Sequence, residues 1–139
     1  MGDELPDYYF RVKENGAAVF RVDTQNRQRR IEMDQIATVN IRNGMVKPQG
    51  NRTLSPEDQA AIAEWMAARK AQLAARTIDD IHRAVDYLNL TTGWVQSEAS
   101  TTDLDAVTDA LLLAMHDLRT ALVRRKAQQI EDAADDAAE

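Results

Sequence analysis

The sequence predicts an α+β protein: a small N-terminal antiparallel β-meander followed by three α-helices, the last of them long. Three observations predict it. Residues 8–47 carry apolar side chains at alternate positions and are interrupted twice by Asn-Gly. Residues 55–131 carry them at steps of three and four. The loop-forming run Pro48-Gln49-Gly50-Asn51 stands between the two patterns. Strands that come first and helices that come after, without alternation, define the α+β class. With 139 residues the chain is expected to form a single domain, 1–139, large enough to bury a core.

Within the meander, Tyr8, Phe10 and Val12 alternate with Tyr9, Arg11 and Lys13, and Glu14-Asn15-Gly16 turns the chain. Ala18, Phe20 and Val22 then alternate with Val19, Arg21 and Asp23. A polar stretch, Thr24 to Gln28, leads to Arg30–Met33. A further strand over Ala37–Arg42 reaches the second turn, Asn43-Gly44, and Met45–Lys47 returns from it. Four or five short strands result.

Ser55-Pro56-Glu57-Asp58 opens the first helix. Serine caps free amides, proline suits the first helical position, and the acids favour the positive end of the dipole. Its apolar stripe is Ile62, Trp65, Met66 and Leu73, with Trp65 as a core anchor. Thr77-Ile78-Asp79-Asp80 repeats the capping pattern and is expected to start a second helix, striped by Ile78, Ile81, Val85 and Leu88. Gly93 kinks or ends that helix near Asn89–Gly93, and Trp94 beside it reads as core. Ser100–Asp103 caps the third helix, Thr102 to about Glu131 and about 45 Å long at 1.5 Å per residue. The acidic tail 132–139 contains only Ala, Asp and Glu and is expected to be disordered.

Composition excludes several function classes. There is no cysteine, hence no disulfide, thiolate nucleophile or cysteine metal site. The acidic opening lacks an apolar run, and no stretch approaches the ~20 apolar residues of a membrane span, so a cytoplasmic protein without membrane contact is expected. His82 and His116 are the only histidines, and each sits one position off an apolar stripe with one or two acids for company. A zinc site wants three or four converging ligands, so no metal, cofactor or catalytic residue is expected. Glycine-rich phosphate loops and a nucleophile elbow are absent.

Two features point to partners. Leu104, Val107, Leu111, Met115, Leu118 and Leu122 form a stripe on the last helix, and Leu112, Leu113 and Val123 widen it beyond what one neighbour covers. Leu111, Leu112, Met115, Leu118 and Leu122 are therefore the expected protein interface of a non-enzymatic assembly module, a homodimer or a partner-docking protein. The second feature is basic. Net charge is −6, yet Met1–Arg52 holds nine Lys/Arg against seven Asp/Glu. Arg21, Arg27, Arg29 and Arg30 bracket one hairpin, the alternative being a nucleic-acid-associated regulator that lays this hairpin in a groove. Arg124-Arg125-Lys126 is a second patch, explained by pairing with the acids that follow it.

Overall fold

The Glu14-Asn15 turn sets the whole sheet. In the computed structural model, which describes residues 5–23 and 30–138, β1 (Tyr8–Lys13) pairs antiparallel with β2 (Gly16–Asp23) from Lys13 opposite Gly16 to Tyr8 opposite Arg21. Gly16 is there for space: a Cβ on it would lie 1.8 Å from the carbonyl oxygen of Val39 on the next strand. That strand, β3 (Glu32–Asn40), is one continuous element where the sequence suggested two pieces. Its register against β2 shifts between Val19 and Phe20, leaving Ile36 as an extra residue, a β-bulge. At the second turn Gly44 takes φ +73°, and Asn40 Oδ1 accepts from the amides of Arg42 and Asn43. β4 (Val46–Pro48) completes a four-stranded meander in the order β1-β2-β3-β4.

Because directly opposed residues share a face, the register sorts the sheet. One face carries Phe10, Val12, Ala17, Val19, Ala37 and Val39, with Ile36 turned inward by the bulge. Ile62 and Met66 of the first helix and Leu54 of the loop pack against it, and Trp65 stacks on Phe10 with ring centroids 4.7 Å apart. Val19, Ile36 and Ile62 are fully enclosed. The inward residues of β2 are thus Ala17, Val19 and Arg21, and the alternate set, Ala18 and Phe20, lies on the other face.

Two helices follow the sheet, not the three expected. The α+β class stands and the helix count is corrected. α1 runs unbroken over Pro56–Ser97 and α2 over Thr101–Ala138. Thr77 does not cap a new helix, since its hydroxyl donates back to the carbonyl of Leu73 at 3.1 Å. The residues before it, Leu73-Ala74-Ala75-Arg76, are strong helix formers with no glycine or proline to stop propagation. Gly93 is likewise carried through the helix, with the Ser97 hydroxyl on its carbonyl at 2.7 Å. α2 continues through the Ala-rich run 132–138 to Ala138, where disorder was expected.

The chain divides into two compact units, Met1–Ile81 and His82–Glu139. The first holds the sheet and its core. The second is a helical hairpin closed by Glu98 and Ala99, whose amides both donate to the carbonyl of Trp94. Among the described residues no helix is long and apolar enough to cross a membrane.

Gly16→Ala must force β2 and β3 apart, so urea unfolding should show a loss of about 2–4 kcal/mol, at the high end for single substitutions. Gly44→Ala, strained only by its positive φ with open space around it, should cost about 1–2 kcal/mol.

Candidate functional site

Two places in the molecule concentrate chemistry: a buried carboxylate in the first unit and an uncovered apolar hairpin in the second. Asp58 is the third residue of α1 and the buried charged residue of the core, 2% exposed. Ser55 and Asp58 form a reciprocal capping box, Asp58 N–H donating to Ser55 Oγ at 3.0 Å and Ser55 N–H to Asp58 Oδ2 at 3.1 Å. The register sets Tyr8, Arg21 and Asp34 in one row across β1, β2 and β3. The Tyr8 hydroxyl donates to Asp58 Oδ1 at 2.7 Å. Arg21 donates from Nε and Nη2 to Oδ1, at 3.1 and 2.8 Å, and from Nη2 to Oδ2 at 2.7 Å. Arg52 takes the third member of the row, holding Asp34 through two bonds of 2.6 and 2.7 Å. That second pair is exposed on both sides and worth little by itself.

Burial alone would raise the Asp58 pKa; hydrogen bonds from Arg21, Tyr8 and Ser55 overcome it and bring it from 3.8 down to about 2. Tyr8 moves up, through burial first and its bond to Asp58 second. Arg21 also moves up, chiefly through its bond to Asp58. A carboxylate with both oxygens occupied and the ionised form this strongly favoured is a poor proton shuttle. Asp58 instead ties the start of α1 to two strands.

The second place is the hairpin. In His82–Glu139 none of the described residues is buried, and only Thr91, Trp94, Ala99, Leu104, Val107 and Leu111 are even half-buried. Of the five expected interface residues, Leu111 sits in the seam between the helices, while Leu112, Met115, Leu118 and Leu122 are 52–59% exposed. Leu113, Val123 and Ile130 are as open, and so are Tyr87 and Leu90 on the α1 side. The seam is flanked by two grooves. One of 640 Å³ is lined by Tyr87, Leu90, Trp94, Ala106 and Ala110. The other, of 360 Å³, is lined by Thr92, Val95, Leu104, Leu112 and Met115.

Two of the four expected basic residues can be placed. Arg21 commits its guanidinium to Asp58, Arg30 is exposed at the entry to β3, and Arg27 and Arg29 lie outside the described residues. His82 and His116 are exposed, and His116 Nδ1 lies 3.5 Å from its neighbour Asp117. No group of three or more metal-binding side chains occurs among the described residues. Comparison of the chain with family models, with curated proteins and with solved structures finds no match.

Sequence reasoning missed the Tyr8–Asp58–Arg21 cluster, although the signal was present. A two-residue turn at Glu14-Asn15 makes Arg21 the partner of Tyr8, and an arginine on the face that carries Phe10 needs a buried acid.

Asp58→Asn should lower stability by about 2–3 kcal/mol, and Tyr8→Phe by about 1–2 kcal/mol, in urea titrations at pH 7. The folded-state pKa of Asp58 lies below its unfolded value of 3.8. Its contribution, about 2 kcal/mol, is therefore complete well above pH 4 and lost as pH falls through 3.8 towards 2. Asp58→Asn should flatten that part of the acid unfolding profile.

Proposed function

We propose that this protein is a non-enzymatic interaction module that self-associates through its helical hairpin, most simply as a homodimer in which two hairpins form a four-helix bundle. One observation supports the reading above the rest: a unit of 58 residues, His82–Glu139, carries rows of leucine, valine and methionine and buries none of them. Helices in water owe most of their stability to packing of an apolar face, and two helices share only one seam. The faces left over, led by Leu112, Met115, Leu118 and Leu122, are the surface a second hairpin covers.

The energetics are favourable. Full burial of a Leu or Met side chain contributes about 1.5–3 kcal/mol. Four such residues on each of two protomers are of the right order to offset an association cost of about 4–15 kcal/mol. Docking of a different apolar helix on the same surface is the heteromeric form of the reading.

Light scattering on a sizing column should give a multiple of the 15.6 kDa chain mass. Leu112→Glu with Leu118→Glu should reduce it to 15.6 kDa, while in a Trp94→Phe background the fluorescence of Trp65 reports an intact first unit. A folded double variant that keeps the parent's mass contradicts the proposal.

A further inference from the structure

The sheet has a second face, and α1 does not cover it. Tyr9, Arg11 and Lys13 of β1, Ala18 and Phe20 of β2, Gln35, Thr38 and Asn40 of β3 and Lys47 of β4 share it by register. Its floor is closed. Ala18 is 2% exposed and Phe20 7%, the latter because the Arg11 guanidinium lies 4.5 Å above its ring and Tyr9 leans on it at 6.2 Å. Tyr9 stays 43% exposed, and Arg11, Lys13 and Lys47 are exposed.

Charge on this face is mostly positive. Among the described residues Arg11, Lys13 and Lys47 are the charged groups at its strand positions, and one acid, Asp7, joins it at the edge, where the Val22 amide donates to the Asp7 carbonyl at 2.8 Å. Asp34 is opposite Arg21 on the helix-covered face, and Asp23 is opposite Glu32 on that same face. In a chain of net charge −6 this is a local reversal. The spacing is that of a track. Arg11 and Lys13 are about 7 Å apart along one strand, and Lys47 lies about 14 Å across the sheet from Arg11 in the row Arg11–Ala18–Thr38–Lys47.

We propose that this open face binds single-stranded nucleic acid, with Arg11, Lys13 and Lys47 on phosphates and Tyr9 stacking on a base. Cations bordering an aromatic platform are how flat sheets hold single strands, since every base offers a π-face and the backbone supplies the charge. Half-buried Thr38 lies in the row between Arg11 and Lys47, and half-buried Gln35 in the row of Tyr9, within the span where base edges pass. An acidic polypeptide satisfies the three cations and leaves Tyr9 without a role. The face belongs to the first unit and the proposed assembly surface to the second, so this inference does not depend on self-association.

The test is fluorescence anisotropy of a labelled ten-nucleotide oligouridylate with the full chain at increasing salt. Three phosphate contacts to a single strand predict a log–log salt slope of about −2, or about a twentyfold loss of affinity from 50 to 200 mM. Lys13→Gln with Lys47→Gln, both exposed and outside the core, should weaken binding about tenfold and bring the slope towards −0.7. Tyr9→Leu should weaken it several-fold at unchanged slope, with circular dichroism showing the sheet intact. Leu112→Glu with Leu118→Glu should leave each binding site's affinity unchanged. The proposal is overturned by absent binding at 20 mM salt, or by an unchanged slope in the lysine variant. Tighter binding of a duplex, or of a ten-residue polyglutamate, also overturns it. So does loss of binding in Arg27→Ala/Arg29→Ala/Arg30→Ala or Arg124→Ala/Arg125→Ala/Lys126→Ala while the lysine variant binds normally.

Discussion

The Asp58 carboxylate is the constraint on which the first unit depends. It takes donors from β1, from β2 and from the residue that caps its own helix, so three pieces of chain far apart in sequence meet at one side chain. A carboxylate moved out of water costs several kcal/mol unless its oxygens are fully occupied. Here they are, and among the described residues no buried side-chain nitrogen or oxygen lacks a partner. The consequence is specificity of register. A slip of β1 against β2 by one residue turns Arg21 to the other face and strands a buried charge. The small apolar core of Ala17, Val19, Ile36 and Val39 is well suited to fill space, and much less suited to choose between registers.

The two units solve the problem of apolar surface in opposite ways. In the first, one short stretch of α1 with Ile62 and Met66 closes over the sheet, and its residues are buried. In the second, a stripe of comparable content is left half in water. The difference lies in layers: a sheet face and a helix make two layers around a core, whereas a helical hairpin without a third helix has only a seam. The proposed self-association would supply the missing layer and would account for the long leucine-rich run of α2.

Much of this was legible in the residues, and the failures have physical causes. The two Asn-Gly turns, the alternation in β1 and the Ser55 cap each rest on contacts within four residues, and each is found. The cap at Ser100–Asp103 is the same kind of local signal and is also found. Thr77-Ile78-Asp79-Asp80 carries an equally good capping signature, but a cap ends a helix only when the chain before it leaves helical geometry. Arg76 and its neighbours give it no reason to. The alternation in β2 did not say which set faces inward, since Phe20 and Val19 are both apolar. The turn length, which couples Phe10 to Val19, decides it. The bulge at Ile36 leaves no mark in the hydropathy pattern, since Ile36 and Ala37 are both apolar. The apolar width of α2 was visible from the start; what the structure adds is that α1's part of the hairpin covers only the seam and leaves Leu112, Met115, Leu118 and Leu122 more than half exposed.

The most direct test of the central claim, that the first unit is complete by itself and the hairpin is not, is amide hydrogen exchange followed across protein concentration. The account predicts that protection over Ala17–Val39 is independent of concentration, whereas protection over Leu104–Ile130 rises as the chain passes from monomer to assembly. Strong protection of the hairpin at concentrations where the protein is monomeric would contradict it, because a two-helix hairpin with no buried residue would then be stable without a partner.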